Sequence, residues 1–235
     1  MLFTLTAKYS VLLNIIPANC LCLILVNFGQ LNAANLFLFM YDLILKNVSR
    51  FITLTPEEEQ YFTFLLKAKK LKKKQYLLQE GEINRYDYFV NKGCLRTYTI
   101  DEKGLEHIVQ FSIEDWWTGD MYSFLTQTPA RYTIDALEDS ELLCLEKNAL
   151  EELYVKIPKF ERFFRHLLQN AFVSLQERIT ANLSQTADER YCNFIDKYPL
   201  MEKRLPLKQI ASYLGITPES LSRIRSSYTK NNKPA

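Results

Sequence analysis

The sequence is poor in histidine and lacks cysteines at metal-binding spacing. It contains two histidines, His107 and His166, and five scattered cysteines with no CxxC pair. Zinc and iron–sulfur sites need clustered Cys and His ligands, and haem needs a placed axial ligand. The sequence therefore gives no support to a metal site, an iron–sulfur cluster or haem. The cysteines are odd in number and scattered, so a disulfide framework is not expected. A cytoplasmic location is expected instead.

Catalytic patterns are lacking as well. The sequence shows no Ser/His/Asp set and no phosphate-binding glycine loop, so an enzyme is not expected. A strong overall charge is also missing, since the net charge is +2 over 235 residues. The charge is nevertheless uneven, because residues 203–235 carry seven basic residues and one acid, a net charge of +6. A basic end on a near-neutral chain suggests a polyanionic partner.

Residues 1–39 contain one charged residue, Lys8, and are rich in Leu, Ile, Phe, Asn and Cys. A signal peptide would have a stronger basic start and a clear cleavage site. A membrane helix needs about 20 apolar residues, whereas the run at 11–28 is broken by three asparagines and Pro17. The favoured interpretation is that Met40 is the true start. An export or membrane segment is the second alternative and a structured arm the third.

Helical patterns follow Met40. Apolar residues recur at helical spacing as far as Phe51. Thr55, followed by Pro56 and three glutamates, then predicts the N-cap of a second helix. We expect this helix to end in the lysine cluster at 67–74, a solvated face that suits the negative helix C-terminus. Nucleic-acid contact by these lysines is the less favoured alternative.

Residues 76–145 change to a period of two, with glycines between short apolar runs. Asp101–Gly104 lies between two such runs and predicts a hairpin turn. Short strands at regular spacing are typical of an antiparallel sandwich or barrel.

A long helix is predicted from about residue 158 to 183. It carries an apolar stripe at spacings of three and four, which could pair with a second copy in a parallel coiled coil or cover the β module of its own chain. A capping box at Thr186–Glu189 predicts a further helix that ends before Pro199. The residues predicted for a dimer interface are Phe164, Leu168, Phe172, Leu175 and Ile179, with Leu183 continuing the stripe.

The segment LPLKQIASYLGITPESLSRIR at 205–225 predicts a helix-turn-helix. Gly215 lies four residues after Ala211 and permits a sharp turn with positive φ, and Thr217 caps a second helix that begins at Pro218. A purely structural hairpin is the alternative. Glu can accept from cytosine and Arg can donate to guanine, whereas Lys208 and Arg225 would neutralise phosphates. The predicted DNA-binding set is Lys208, Thr217, Pro218, Glu219, Ser220, Ser222, Arg223 and Arg225.

Together these features resemble the Crp/Fnr family of bacterial transcription regulators, and most closely its diverged members common in Bacteroidetes. The resemblance rests on EGE at 80–82, YFVNKG at 88–93, TGD at 118–120, DALED at 135–139 and QIASYLGITPESLSRI at 209–224. It implies an α+β fold: a β-roll of jelly-roll type like cyclic-nucleotide-binding domains, a dimerisation helix and a winged-type helix-turn-helix. It also implies a homodimer on double-stranded DNA, with RNA polymerase as a partner if the protein is an activator. Pro218 stands where the family usually has Arg, so one base contact is missing.

The segment at 119–132, called the effector cassette below, departs from the family pattern. In family members that bind cyclic nucleotides, a Glu takes a ribose hydroxyl, and an Arg with backbone N–H groups takes the cyclic phosphate. Here Asp120 replaces the Glu, Tyr122 replaces a small residue, Arg131 lies one residue late and Tyr132 replaces Ser or Thr. Cyclic AMP is therefore not expected, although an unidentified small effector remains open. The candidate pocket is Gly119, Asp120, Met121, Tyr122, Ser123, Arg131 and Tyr132.

The expected organisation is a doubtful leader at 1–39, a sensor domain at 40–150, a dimerisation helix at 151–184 and a DNA-binding domain at 185–235. The predicted function is sequence-specific transcription regulation by a homodimer. The alternative is a ligand-sensing or membrane-tethered interaction module that does not bind DNA. A membrane partner is not expected.

Overall fold

The computed structural model of the chain describes residues 33–199 and 201–231, with side chains for 40–199 and 201–228. The chain divides into two compact units, residues 1–42 and 43–235. Of the first unit only the start of helix α1 (Ala33–Ser49) is described, so the expectations for residues 1–32 concern a segment outside the described residues. In the described part of the chain, no helix combines the length and the apolar character needed to cross a membrane.

Two four-stranded antiparallel sheets form the sandwich predicted from the alternating pattern, in the β-roll arrangement that the family resemblance implied. The first has the order β1-β8-β3-β6 and the second the order β2-β7-β4-β5. Buried apolar side chains, including Val90, Leu95, Ile134 and Leu142, fill the core of the roll. The strands are β1 (Leu66–Leu71), β2 (Tyr76–Leu78), β3 (Tyr86–Lys92), β4 (Leu95–Ile100), β5 (Glu106–Ser112), β6 (Trp117–Thr118), β7 (Thr133–Ala136) and β8 (Ser140–Glu146).

The predicted hairpin and the predicted helix caps are confirmed. The Gly104 N–H donates to the carbonyl of Asp101 at 2.9 Å between the paired strands β4 and β5. Thr55 and Thr186 each cap a helix in a complete capping box. The helices are α2 (Pro56–Leu65), α3 (Met121–Thr126), α4 (Lys147–Lys156), α5 (Lys159–Ser184), α6 (Ala187–Lys197), α7 (Met201–Arg204), α8 (Leu207–Leu214) and α9 (Pro218–Asn231).

The lysine cluster does not end a helix, so this prediction is wrong. Helix α2 stops at Leu65, and the lysines at 67, 69 and 70 lie on β1, an edge strand that pairs with β8. Lys67 forms a cross-strand ion pair with Glu146 at 2.6 Å, and Lys70 with Glu141 at 3.5 Å. Exposed lysines on an edge strand hinder pairing with another chain. Pairing with a distant strand therefore overrides the local helical pattern.

Phe164 also departs from its prediction as a dimer-interface residue. It is 6 % exposed, and its ring lies 5.4 Å from that of Trp117 and 5.1 Å from that of Phe163. The beginning of α5 thus covers the β-roll of its own chain, as the alternative interpretation of the stripe had it. From Leu168 onward the predicted stripe is exposed.

The wing of the expected winged helix-turn-helix is not formed in the described residues, since none of those after Glu146 lies in a strand. The connection from α6 to α8 is short and contains Pro199 and Pro206. Met201–Arg204 of this connection form the single-turn helix α7, and helix α9 continues to Asn231.

A second apolar core joins the C-terminal helices to the β-roll. It includes Ile108 and Phe111 of β5 together with Tyr191, Ile210 and Leu214 of the helices. The hydroxyl of Ser212 on α8 donates to the carbonyl of Glu106 at 2.8 Å and accepts from the Ile108 N–H at 3.1 Å. Helix α8 therefore lies against strand β5 through both apolar and polar contacts.

Arg204 forms a double ion pair beside this core. Its guanidinium binds Glu114 with distances of 2.7 and 3.1 Å, and Glu138 with distances of 3.1 and 2.8 Å. Burial raises the pKa of Glu114, but the hydrogen bonds from Arg204 and from the Gly93 N–H outweigh it, so this pKa lies below its usual range. The carboxylates of two loops of the β-roll are thus held by one cation from the C-terminal helices.

Replacing Arg204 should loosen this junction. Arg204→Ala leaves two carboxylates together without a cation, so we expect a loss of about 2 kcal/mol in the free energy of unfolding at pH 7. Because the folded-state pKa of Glu114 is lowered, the stabilisation is fully present above the unfolded pKa of about 4.3 and is lost only as pH falls through the lower folded-state pKa. Urea unfolding at pH 7 and at successively lower pH measures both. The neighbouring exposed Lys203→Ala is the control, and equal stabilities of the two variants at pH 7 would contradict the assignment.

Candidate nucleic-acid interface and effector cassette

The turn between α8 and α9 has the geometry predicted for a helix-turn-helix. Gly215 ends α8 with φ of +67°. The Ile216 N–H donates to the carbonyl of Ala211 at 3.0 Å, and the Gly215 N–H donates to that of Ser212 at 3.1 Å. This pair of bonds is a Schellman motif, which satisfies the last carbonyls of the helix and needs a left-handed residue at the turn.

Helix α9 begins at the predicted cap. The Ser220 N–H donates to the Thr217 hydroxyl at 3.2 Å, and Pro218 occupies the first helical position. Backbone hydrogen bonding at the helix start, the Thr217 hydroxyl and the charge of Arg223 together keep the pKa of Glu219 below its usual value. The Glu219 carboxylate is therefore ionised at neutral pH.

The inner and outer faces of the two helices divide as the sequence indicated. The inner residues Ile210, Leu214, Leu221 and Ile224 are buried, whereas Ile216 is partly buried. The structure brings the predicted DNA-binding residues to the accessible side, and Pro218 and Ser220 are half-buried there. The exposed ones are Lys208, Thr217, Glu219, Ser222, Arg223 and Arg225.

The two arginines of α9 have different surroundings. The Arg223 guanidinium donates to the Ser220 hydroxyl at 3.3 Å on the exposed face. Arg225 forms an ion pair with Glu202 of α7 at 3.0 Å, and the Tyr191 hydroxyl donates to the same carboxylate oxygen at 2.7 Å. A phosphate contact by Arg225 stays a prediction, and it would compete with this pair. Glu202 carries no motif that sequence reasoning could have used.

Arg190 was also missed from sequence and fixes the position of α8. Its guanidinium donates to the carbonyl of Leu214, the last residue of α8, at 3.1 Å. It donates as well to the carbonyl of Gln185, directly after α5, at 2.7 Å. A cation at helix C-termini satisfies orphan carbonyls and suits the helix dipole. One side chain therefore ties the end of the long helix to the helix-turn-helix.

The seven predicted pocket residues lie together between β6 and β7. Asp120 caps the short helix α3, which sequence reasoning did not predict, and accepts from the Ser123 N–H at 2.9 Å. The other oxygen of the same carboxylate accepts from the N–H groups of Arg131 at 2.7 Å and Tyr132 at 3.3 Å. Asp120 and Ser123 are completely buried.

The Arg131 side chain lies outside this buried network. Its guanidinium carbon is 3.8 Å from the centre of the Tyr122 ring, and both side chains are exposed, like that of Met121. Tyr122 stands where the resemblance implies a small residue, and the structure places its ring against Arg131 at the surface.

Asn84 supports the cassette from the loop before β3. Its N–H donates to the Ser123 hydroxyl at 2.9 Å, and its side-chain amide donates to the carbonyl of Asp120 at 3.1 Å. A Cβ on Gly119 would lie 3.1 Å from that amide nitrogen, so glycine allows the close approach. The nearby EGE motif at 80–82 was recognised in the sequence, but Asn84 lies just outside it and was not predicted.

The family profile of the cyclic nucleotide-binding domain matches residues 68–156. The anaerobic regulatory protein of Haemophilus influenzae is 28% identical over 192 residues, which cover 76% of this chain and 73% of that protein. FixK2 from Bradyrhizobium japonicum has a TM-score of 0.61 at 21% identity and covers 71% of this chain and 85% of its own. A regulator from Eubacterium rectale, described as a member of the Crp/Fnr family, has a TM-score of 0.58 at 18% identity, with coverages of 77% and 88%.

The chain is therefore similar in sequence to anaerobic regulators, and in fold to solved regulators of the Crp/Fnr family. The β-roll and the C-terminal helices of the chain confirm the fold that the resemblance implied, except for the wing. The finer likeness to Bacteroidetes members stays a prediction.

Asp87 is a buried acid that was not predicted as a site residue from the sequence. It lies on β3, and its carboxylate accepts from the Tyr88 N–H at 3.1 Å. A Cβ on Gly119 would lie 3.8 Å from one of its oxygens, so it adjoins the cassette. Burial raises the pKa of Asp87 to about 7. This residue therefore titrates near neutral pH.

Asp87 should make stability depend on pH. Its unfolded pKa is about 3.9, so the folded state holds more protons between pH 4 and 7 and loses stability as pH rises through that range. Asp87→Asn removes the titration, and we expect it to stabilise the protein at pH 8 by up to about 4 kcal/mol, with little effect at pH 4. Urea unfolding across this range tests it, with the exposed Asp196→Asn as control. A pH-independent difference would show that ionisation of Asp87 is not the cause.

Proposed function

We propose that the chain is a transcription regulator of the Crp/Fnr family that binds specific DNA sequences as a homodimer, through α9, and has an effector cassette that does not take cyclic AMP. The observation that carries the proposal is the exposed face of α9, where Glu219, Ser222 and Arg223 project from a helix whose other face is buried. A helix of 14 residues that begins at a helix-turn-helix is of the length that enters the major groove.

The chemistry of this face supports base recognition. Arg223 can donate two hydrogen bonds to guanine, and Glu219 can accept one from the amino group of cytosine. The two side chains are four residues apart and therefore share one side of the helix. Pro218 has no donor, so the operator is expected to differ at the base that the usual family Arg would contact. Lys208 and Arg225 are assigned to phosphates, which position the helix without reading sequence.

The dimer is proposed from the exposed stripe of α5. Leu168, Phe172, Leu175 and Ile179 recur at spacings of four, three and four, and Phe172 is 60 % exposed. A row of large apolar side chains on a long helix favours a coiled-coil partner, and a second copy has the same row. Such a dimer would place two recognition helices on half-sites about 34 Å apart.

We also propose three functional parts. They are a sensor at 40–150, a dimerisation helix at 151–184 and a DNA-binding domain at 185–235. The protein acts without catalysis, in the cytoplasm where its DNA lies, with RNA polymerase as a partner if it activates. A membrane-tethered or ligand-sensing module without DNA binding is the second candidate, and only the apolar sequence at 1–39 favours it.

Arg223 should determine specificity. Arg223→Ala should weaken binding to the best operator by about 1–3 kcal/mol and relax the preference at one base pair. Lys208→Ala is the matched comparison: as a phosphate contact, it should weaken all sequences equally and lower the salt dependence by about one charge. Fluorescence anisotropy with the selected operator and its single-base variants measures both. Uniform weakening by Arg223→Ala would make Arg223 a phosphate contact, and the absence of any selective binding by the unaltered protein would refute the proposed function.

Phe172 should be needed for dimerisation. Phe172→Glu places a charge in the centre of the proposed apolar interface, so we expect monomers at micromolar concentration in sedimentation velocity. Val155→Glu is the control, because Val155 is 84 % exposed and belongs to α4 rather than to the stripe of α5. A dimer that survives Phe172→Glu would contradict this interface, as would an unaltered protein that is already monomeric.

A further inference from the structure

The effector cassette contains its own anion. The carboxylate of Asp120 binds the N–H groups of Arg131 and Tyr132 in the segment where the family resemblance places a cyclic phosphate. We propose that Asp120 is a built-in substitute for an effector phosphate, and that it holds the cassette closed without any ligand. This inference deepens the proposed function, because it rests on the cassette being the effector position of the regulator.

The hydrogen bonds leave little for an outside anion to bind. Both backbone donors point to one oxygen of Asp120, at 2.7 and 3.3 Å, while its second oxygen takes the Ser123 N–H at 2.9 Å. A carboxylate that accepts several N–H bonds satisfies donors that an external phosphate would otherwise need. Since Asp120 is completely buried, a second anion at the same donors would meet a like charge in a poorly solvated place.

The only cationic side chain among the candidate pocket residues is engaged elsewhere. The Arg131 guanidinium lies over the Tyr122 ring at 3.8 Å, and such a contact at an exposed position is a modest attraction. Arg131 therefore contributes its backbone N–H to the closed cassette and its side chain to the surface.

Neighbouring hydrogen bonds hold Asp120 in place. The Ser123 hydroxyl accepts from the Asn84 N–H at 2.9 Å and donates to the carbonyl of Thr128 at 2.6 Å. The Asn84 side chain binds the carbonyl of Asp120 at 3.1 Å. The loop before β3, helix α3 and the start of β7 are joined through one buried carboxylate and its neighbours. We infer that phosphate-bearing effectors do not regulate this protein through the cassette.

The unaltered protein provides the first test. Addition of cyclic AMP or inorganic phosphate to about 1 mM should leave its Tm unchanged at constant ionic strength, because a ligand that binds the folded state would raise it. Its affinity for the selected operator should change less than twofold. A saturable rise in Tm with cyclic AMP would overturn the proposal. The melting measurement needs no DNA, so a failure of the DNA-binding proposal is recognised separately.

Removal of the carboxylate provides the second test. Asp120→Ala leaves three N–H groups without their acceptor, and we expect its Tm to fall by about 10 °C. Formate at about 50 mM is small enough to replace the missing carboxylate, and it should restore part of that loss, whereas chloride at equal ionic strength should not. Asp139→Ala is the matched control, since the exposed Asp139 accepts one backbone N–H, from Lys73 at 2.9 Å.

The possible results separate clearly. Rescue of Asp120→Ala by formate, with no effect on Asp139→Ala, supports the built-in anion. An unchanged Tm for Asp120→Ala, or an equal effect of formate on both variants, overturns it. If Asp120→Ala does not fold, Asp120→Asn provides the test. Its side-chain amide keeps one acceptor oxygen but turns its own N–H group toward a backbone N–H donor. We expect a smaller but measurable fall in Tm for Asp120→Asn, and no fall would overturn the proposal.

Discussion

The arrangement of this protein depends on the contact between helix α8 and strand β5, with the charge of Arg204 beside it. Glu114 and Glu138 come from different loops of the β-roll, and their carboxylates would repel each other without a cation between them. Ser212 adds two hydrogen bonds to the backbone of β5, and these fix the position of α8 along the strand. Because α8 is fixed in this way, the exposed face of α9 has a defined orientation relative to the β-roll.

The long helix reaches the same junction from another direction. Its first turns are anchored on the β-roll by Phe164 and Trp117, and its end is joined to α8 by Arg190. The exposed apolar stripe lies between these two anchors. A partner helix that packed on the stripe would therefore meet a helix whose two ends are already fixed, which reduces the entropy lost on association.

The features that were predicted well from sequence have local causes. The turn at Gly215, the caps at Thr55 and Thr217 and the hairpin at Asp101–Gly104 each depend on residues within about five positions of one another. The predictions that failed involve residues whose partners are distant in the sequence. The lysines at 67–70 became an edge strand because β8, more than 70 residues away, pairs with them. Arg204, Asn84 and Glu202 carry no motif, since only folding brings their partners near. The altered cassette was recognised by substitution, but the structure was needed to show that Asp120 binds the backbone donors of Arg131 and Tyr132.

The cassette and the junction are linked by one short strand. Strand β7 starts directly after Tyr132, whose N–H is held by Asp120, and Glu138 follows two residues after its end and binds Arg204. Within β7, Asp135 is fixed by two hydrogen bonds from Arg96, so the strand is held along its length by charged as well as backbone contacts. A displacement at Tyr132 would therefore be carried to Glu138 with little loss, because packed strands deform poorly. In a protein of this fold whose cassette lacks such a carboxylate, a ligand could supply that displacement. In this chain the carboxylate of Asp120 already accepts from both donors, so we expect the positions of the strand and of Glu138 to be independent of an anionic ligand.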